Sequence, residues 1–134
     1  MPSLRSKTLF VTGASRGIGK AIALRAARDG ANIVVAAKTA TADPRLPGTI
    51  HSAAEEIVAA GGQALAVVVD VRDEAQVRAA VDAAVARFGG IDILVNNAGM
   101  LTQSRCADMP TAMWDDMLRV DLRSVFLCAR RGTR

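Results

Sequence analysis

Residues Thr12 to Gly19 read T-G-A-S-R-G-I-G and follow directly on the apolar run Leu9-Phe10-Val11. A buried strand that breaks into a glycine-rich turn and then a helix leaves the chain few folds to choose from. Such a turn presents backbone N–H groups and a helix N-terminus to a pair of phosphates, and so predicts a dinucleotide site. Each glycine has its own task in that geometry. Gly13 permits the sharp turn off the strand, Gly17 lets the backbone approach a pyrophosphate, and Gly19 lets the helix pack closely on the sheet.

Strand and helix signals alternate through the rest of the chain. Lys7–Val11 is predicted as a strand, and Gly17–Asp29 as a helix whose apolar face carries Ile18, Ala21, Ile22 and Ala26. Gly30 stands where a helix C-terminus favours glycine. The second strand, Asn32–Ala37, is almost continuously apolar and therefore expected to be buried on both faces. A loop rich in Thr, Pro and Asp runs from Lys38 to Gly48. A helix from about Thr49 to Ala60 then stops at Gly61-Gly62, and Ala64–Val69 is a third strand ending in Asp70. Asp73 caps the next helix, whose apolar face is Val77, Ala80, Val81, Ala84, Val85 and Phe88. Gly89-Gly90 breaks that helix, Ile91–Val95 is a fourth strand, and N-N-A-G follows at Asn96–Gly99. A last helix is expected from about Thr111 to Arg130. Four strands joined by crossover helices imply a parallel α/β sheet with right-handed connections. The glycine turn after the first strand makes this a Rossmann-type, doubly wound dinucleotide-binding domain over residues 1–134, ending after about four strands and the following helix.

Composition narrows the partners. Of the aromatic residues there are three Phe, one Trp and no Tyr, so the apolar half of the chain is mostly small aliphatic, as closely packed helices on a parallel sheet require. Seventeen basic and 13 acidic residues leave a net charge of +4. The cations are spread apart from a cluster at Arg130, Arg131 and Arg134, with no basic stripe interleaved with aromatics, so nucleic acid is not an expected partner. No run reaches the ~18–20 apolar residues of a membrane span. The opening M-P-S-L-R-S-K-T lacks the apolar core of a secretory signal, and a cytoplasmic protein is expected. Cys106 and Cys128 have neither metal-ligand spacing nor a neighbouring histidine, the single His being His51, so two reduced thiols and no metal site are expected.

The glycine turn, Asp70 at the end of the third strand and N-N-A-G after the fourth together resemble the short-chain dehydrogenase/reductase family over nearly the whole chain. The first ninety residues are similar to the hydroxysteroid dehydrogenase-like members, through A-A-K-T-A, L-P-G-T-I and A-A-E-E-I; from about Gly99 the text is closer to a generic member. The resemblance implies a nicotinamide dinucleotide cofactor and hydride transfer between a small carbonyl and a secondary alcohol. It also implies roles. Thr12 braces the turn, Gly13, Gly17 and Gly19 with Ile18 line the pyrophosphate, and Ser15 bonds cofactor phosphate or ribose. Asp70 with Val71 contacts the adenine, and Asn96, Ala98 and Gly99 flank the nicotinamide ribose.

The choice between NADP and NAD has a physical basis. A dinucleotide fold selective for NAD places a carboxylate near the end of strand two, where it bonds the ribose hydroxyls. Here that strand ends Ala36-Ala37-Lys38-Thr39, and Arg16 precedes Gly17. A guanidinium and an ammonium suit a 2′-phosphate, which an acid would repel, so NADP is expected over NAD.

The family's catalysis uses a tyrosine as general acid, a lysine four residues on that lowers its pKa, and a serine that positions substrate. No tyrosine occurs in these 134 residues. A free phenol ionises near pH 10, so this chain is expected to be inactive alone, its catalytic part lying beyond Arg134. R-R-G-T-R at the end reads like text after a frameshift or premature stop. The family's catalytic asparagine position falls on Asp121, which when ionised can accept a hydrogen bond but not donate one. Ile91–Val95 is expected to be an open apolar edge. The last helix carries a stripe of Met113, Met117, Val120, Ser124 and Leu127, on a helix that the resemblance makes a homo-oligomer interface. The alternative to an oxidoreductase's cofactor-binding part is a non-catalytic NADP-binding sensor or assembly module.

Overall fold

The computed structural model describes residues 3–45 and 48–132. Four strands, β1 (Thr8–Thr12), β2 (Asn32–Ala37), β3 (Gln63–Val68) and β4 (Ile93–Val95), form one parallel sheet in the order β3-β2-β1-β4. The register is even, with Leu9 opposite both Ile33 and Ile93. Between the strands run the helices α1 (Gly17–Arg28), α2 (Ile50–Ala59) and α3 (Glu74–Phe88). After β4 come a single 3₁₀ turn at Cys106–Asp108, α4 (Thr111–Leu118), a π turn at Arg119–Arg123 and α5 (Ser124–Gly132).

Strand alternation divides the core in two. Leu9, Val11, Ile33, Val35 and Ala37 face α1 and α2, meeting Ala23, Ala26, Ala27, Ile50, Ala53 and Ile57. Phe10, Val34 and Ala36 face the opposite way, toward Val77, Ala80, Val81 and Ala84 of α3 and Leu127 and Cys128 of α5. Helices on both faces of a parallel sheet make a Rossmann-type doubly wound fold. Burial of Cys128 pushes its thiol up to about 11, whereas Cys106 is exposed.

Local chemistry accounts for the element ends. Thr49 and Ser52 form a reciprocal capping box at the start of α2. The Asp73 carboxylate accepts from the N–H groups of Ala75 and Gln76 at the start of α3. Gly89 ends α3 in the left-handed region, at φ +87°.

β2 has the expected bounds, the other strands differ from theirs by one or two residues, and the buried face of α1 differs in kind. Gly19, Ala23, Ala26 and Ala27 face the sheet, while Ile18 and Ile22 lie outward. Small side chains let the helix axis approach the strands, and the larger isoleucines do not fit in that gap. In the last helix the expected stripe is the inward one. Ser124 and Leu127 are buried, with Met113, Met117 and Val120 half-buried on the inward side, and the exposed apolar side chains are Trp114, Leu118, Leu122, Val125 and Phe126. Thr133 and Arg134 of the R-R-G-T-R ending and the Leu46-Pro47 part of L-P-G-T-I lie outside the described residues.

Candidate functional site

The C-terminal ends of all four strands open into one cavity of about 380 Å³, within the ~300–1,000 Å³ usual for small-molecule sites. In open α/β sheets this end, where connections leave in opposite directions, is where ligands bind. β1 delivers Gly13, Ser15 and Arg16 to it, β2 delivers Ala36 through Thr39, and β3 delivers Val69 through Arg72. The turn after β4 brings Asn97 through Met100, and the last helix adds Asp116 and Val120.

Thr12 braces the crossing point. Its buried hydroxyl accepts from the N–H groups of Asn97 (3.0 Å) and Ala98 (2.9 Å), tying the end of β1 to the turn after β4. The Asn97 amide donates in turn to the carbonyls of Thr12 (3.0 Å) and Gly13 (3.2 Å). Gly13 has φ +68°, and a Cβ there would stand 2.9 Å from Asn97 Nδ2 and 3.0 Å from Ala98 Cα. At Gly19 a Cβ would overlap the Asn97 amide and stand 2.8 Å from the Gly13 carbonyl oxygen. That close approach is the packing expected of the third glycine. Gly17, with φ +62°, has open space where a Cβ would be, so its requirement for glycine comes from the backbone conformation and not from crowding.

Several expected site residues gather here and others do not. Gly13, Ser15, Arg16, Lys38, Asp70, Val71, Ala98 and Gly99 line the cavity. Gly17, Ile18 and Gly19 do not, and Ile18 is 75% exposed on the outer side of α1. Asn96 is exposed and outside the lining, and the inward place belongs to its neighbour. Asn97 stands two residues beyond Val95, which packs on the α1 side, and strand alternation carried past β4 would have pointed to it.

Arg16 and Lys38 both line the cavity. The Arg16 guanidinium donates through Nη2 to Thr39 Oγ1 at 3.0 Å. Its Nη1 is buried with no hydrogen-bond partner among the described residues. Buried donors without partners are rare, and this one suits an acceptor supplied by a ligand. The carboxylates lining the cavity are Asp70 and Asp116, and Asp70 follows β3, the neighbour of β2, near enough for Lys38 to contribute to lowering its pKa after Arg72. Asp43, in the following loop, has its carboxyl held below the ordinary value by Arg45 first and by Arg16 more weakly.

Asp70 sits in an ion pair the sequence did not announce. Its Oδ1 accepts from the backbone N–H of Arg72, a local turn that D-x-R spacing could have suggested. The Arg72 side chain adds Nε to Oδ1 at 2.9 Å and Nη2 to Oδ2 at 2.7 Å. On its other edge Nη1 reaches both oxygens of Asp116, at 2.9 and 3.1 Å. The Arg72 hydrogen bonds hold the Asp70 carboxyl down to about 2.

Asp121 falls inside the π turn, where an extra residue redirects the helix. Its Oδ1 accepts from the Met100 N–H at 2.7 Å. In the role of acceptor a carboxylate serves as well as an amide oxygen, and here it clamps the turn after β4 to the last helix. Among the described residues no three His, Cys, Asp or Glu side chains gather as metal ligands, and no helix is long and apolar enough to cross a membrane.

Comparison with known proteins agrees with this architecture. Hydroxysteroid dehydrogenase-like protein 2 of Bos taurus is 61% identical over 92% of this chain, which covers 29% of that protein. A solved structure from Xanthomonas campestris is 59% identical with a TM-score of 0.95, matching 98% of this chain and 49% of its own. An NADH-dependent reductase solved with NAD is 32% identical with a TM-score of 0.85, over 96% of this chain and 51% of its own. The chain thus spans about three-tenths of the curated relative's length and about half of each solved structure. The family model for short chain dehydrogenases matches residues 7–134. With its glycine turn, its Thr12–Asn97 brace and its doubly wound sheet, the chain belongs to the short chain dehydrogenase family.

Proposed function

We propose that these residues are the cofactor-binding part of an oxidoreductase that interconverts a carbonyl and a secondary alcohol, with NADP as cofactor in preference to NAD. The observation that carries the preference is the buried, unpartnered Nη1 of Arg16 beside Lys38, at a strand end without a carboxylate. A 2′-phosphate supplies the acceptor that Nη1 lacks and the charge that both cations complement. The residues present fit a dinucleotide in other respects too. Gly13 and Gly17 leave backbone exposed where a Cβ would intrude or strain, Ser15 offers a hydroxyl, and Asp70 an acceptor at the far end. Asn96, Ala98 and Gly99 remain our candidates for the nicotinamide ribose, with Asn97 holding that turn in place. The nicotinamide, when bound, gives or takes the hydride. The residues described here bind and orient it, and the proton chemistry falls to a group they do not include, since there is no tyrosine among the 134.

The reductase solved with NAD shows that this fold also takes the unphosphorylated cofactor, so the preference rests on Arg16 and Lys38 alone. Titration of the protein with NADPH and NADH, followed by dihydronicotinamide fluorescence, tests it. NADPH is expected to bind at least about tenfold tighter, a difference of about 1.4 kcal/mol. Equal affinities would overturn the Arg16 and Lys38 assignment. A chain of these 134 residues alone is expected to reduce no carbonyl above background, and robust turnover would overturn the role given to tyrosine. We further propose that the protein works in the cytoplasm. We also propose that it self-associates through the outward face of the last helix, which light scattering over a concentration series would check.

A further inference from the structure

We propose that Thr39 is a positioning residue for cofactor choice: it holds the Arg16 guanidinium with Nη1 toward the place of a 2′-phosphate, and acts through Arg16 rather than by touching the phosphate. The inference rests on the NADP reading above and deepens it.

An arginine side chain is long and rotatable, and ordering it when a ligand arrives costs affinity. Here the protein itself holds it. Arg16 Nη2 donates to Thr39 Oγ1 at 3.0 Å, while Nη1 is buried with no hydrogen-bond partner among the described residues. The guanidinium is a rigid planar fork, so once its backbone end and Nη2 are both held, the direction of Nη1 follows. The kind of acceptor matters as much as its position. A carboxylate on this fork would spend the charge that a phosphate needs, whereas a hydroxyl orients the fork and leaves its charge whole. The carboxylate within reach of that charge is Asp43, and it is committed elsewhere. Its Oδ1 accepts from the backbone N–H of Arg45 at 2.9 Å and from Arg45 Nε at 3.4 Å, and its Oδ2 from Arg45 Nη2 at 3.4 Å.

Thr39 is fixed in turn by its place in the chain. It follows the end of β2 by two residues, and its carbonyl accepts from the N–H of Ile50, the first residue of α2, at 2.9 Å. That bond closes the base of the connection between β2 and α2. The far end of the same connection lies against the glycine turn. A Cβ at Gly48 would stand 2.6 Å from the Ser15 carbonyl oxygen and 3.9 Å from Arg16 Cβ, and φ there is +88°. Glycine alone makes that approach without strain or displacement. Arg16 is thus reached from both ends of one connection, by a hydroxyl at Thr39 and by backbone at Gly48.

The test is a double-mutant cycle on the whole protein: Thr39→Val, Arg16→Ala and the two together, each titrated with NADPH and NADH by dihydronicotinamide fluorescence. Valine keeps the branched shape of threonine and removes the acceptor. Thr39→Val is expected to weaken NADPH binding about three- to tenfold, the scale of ordering one long side chain on binding, and NADH binding by less than about twofold on the same scale. Thr39→Ser keeps the hydroxyl and should restore the wild-type preference. In the Arg16→Ala background Thr39→Val should leave the preference where it was, since no guanidinium remains to be held. A thermal melt shows which variants fold, and Thr39→Ala replaces Thr39→Val in the cycle if valine is not tolerated. An equal loss in both backgrounds would mean that Thr39 meets the phosphate directly, and would overturn the positioning role. A folded variant without the hydroxyl that keeps the wild-type preference would overturn it too. A wild type that binds the two cofactors equally would instead overturn the NADP reading, a result that no variant is needed to recognise.

Discussion

Strands β2 and β4 flank the same central strand, yet five of the six residues of β2 are buried and none of the three in β4 is. Their compositions do not explain this, since Ile93-Leu94-Val95 is as apolar as Ile33-Val34-Val35. The neighbours explain it. β2 is paired on both edges and covered by helices on both faces, whereas β4 pairs only with β1. On the α1 side an open apolar surface runs from Ile18 and Ile22 across to Ile93 and Val95. An apolar strand is therefore a request for cover, and pairing decides whether the request is met.

The contrast is sharpest in the core beneath β2. Phe10→Ala removes a wholly buried ring shared by β1, α3 and α5 and is expected to cost about 3–5 kcal/mol, read from urea unfolding. A loss below 1 kcal/mol would mean that this half is as loosely packed as the β4 edge. Next in size is Gly19→Ala, where the new Cβ meets the Asn97 amide and the Gly13 carbonyl. It should destabilise by about 1–3 kcal/mol and weaken dinucleotide binding, because the side chain it displaces holds the glycine turn. Unchanged binding would detach the Thr12–Asn97 brace from the site.

A smaller effect is expected from acid. The folded Asp70 carboxyl ionises at about 2, below its ordinary 3.8. Its contribution to stability is fully present above the ordinary value and is lost as the pH falls through about 2. Stability measured from pH 5 to pH 2 should therefore fall less steeply in Asp70→Asn than in wild type, and parallel curves would count against the ion pair. The smallest change belongs to the uncovered side. Ile18→Lys, at a position 75% exposed, should move stability by no more than about 0.5 kcal/mol while raising solubility. A large loss there would show that the α1–β4 surface is covered in the intact protein.

Much of this was legible in the residues. Glycines and caps act locally, so the turn at Gly13, the Asp73 cap and the stop at Gly89 need only their immediate neighbours. Asp70 at a strand end followed from its place in the pattern, and Thr12 as a brace from the family resemblance. The readings that changed are those in which two elements had to meet. Whether alanines or isoleucines of α1 face the sheet depends on how near the helix axis comes. That Asn97 holds the glycine turn, a role given to no residue after β4 beforehand, depends on the register in which β4 meets β1. The Arg72–Asp116 pair spans 44 residues, and the π turn that carries Asp121 shows no signature in R-V-D-L-R.

The sequence by itself determined the element order, the doubly wound parallel class and the place of the glycine turn, because short-range sterics and hydrophobic period encode them. The tertiary structure alone decided which side chains share the cavity, which carboxylate Arg72 holds, and which apolar faces stay open. Those outcomes depend on distances between segments remote in the chain, and such distances exist only once the sheet has paired.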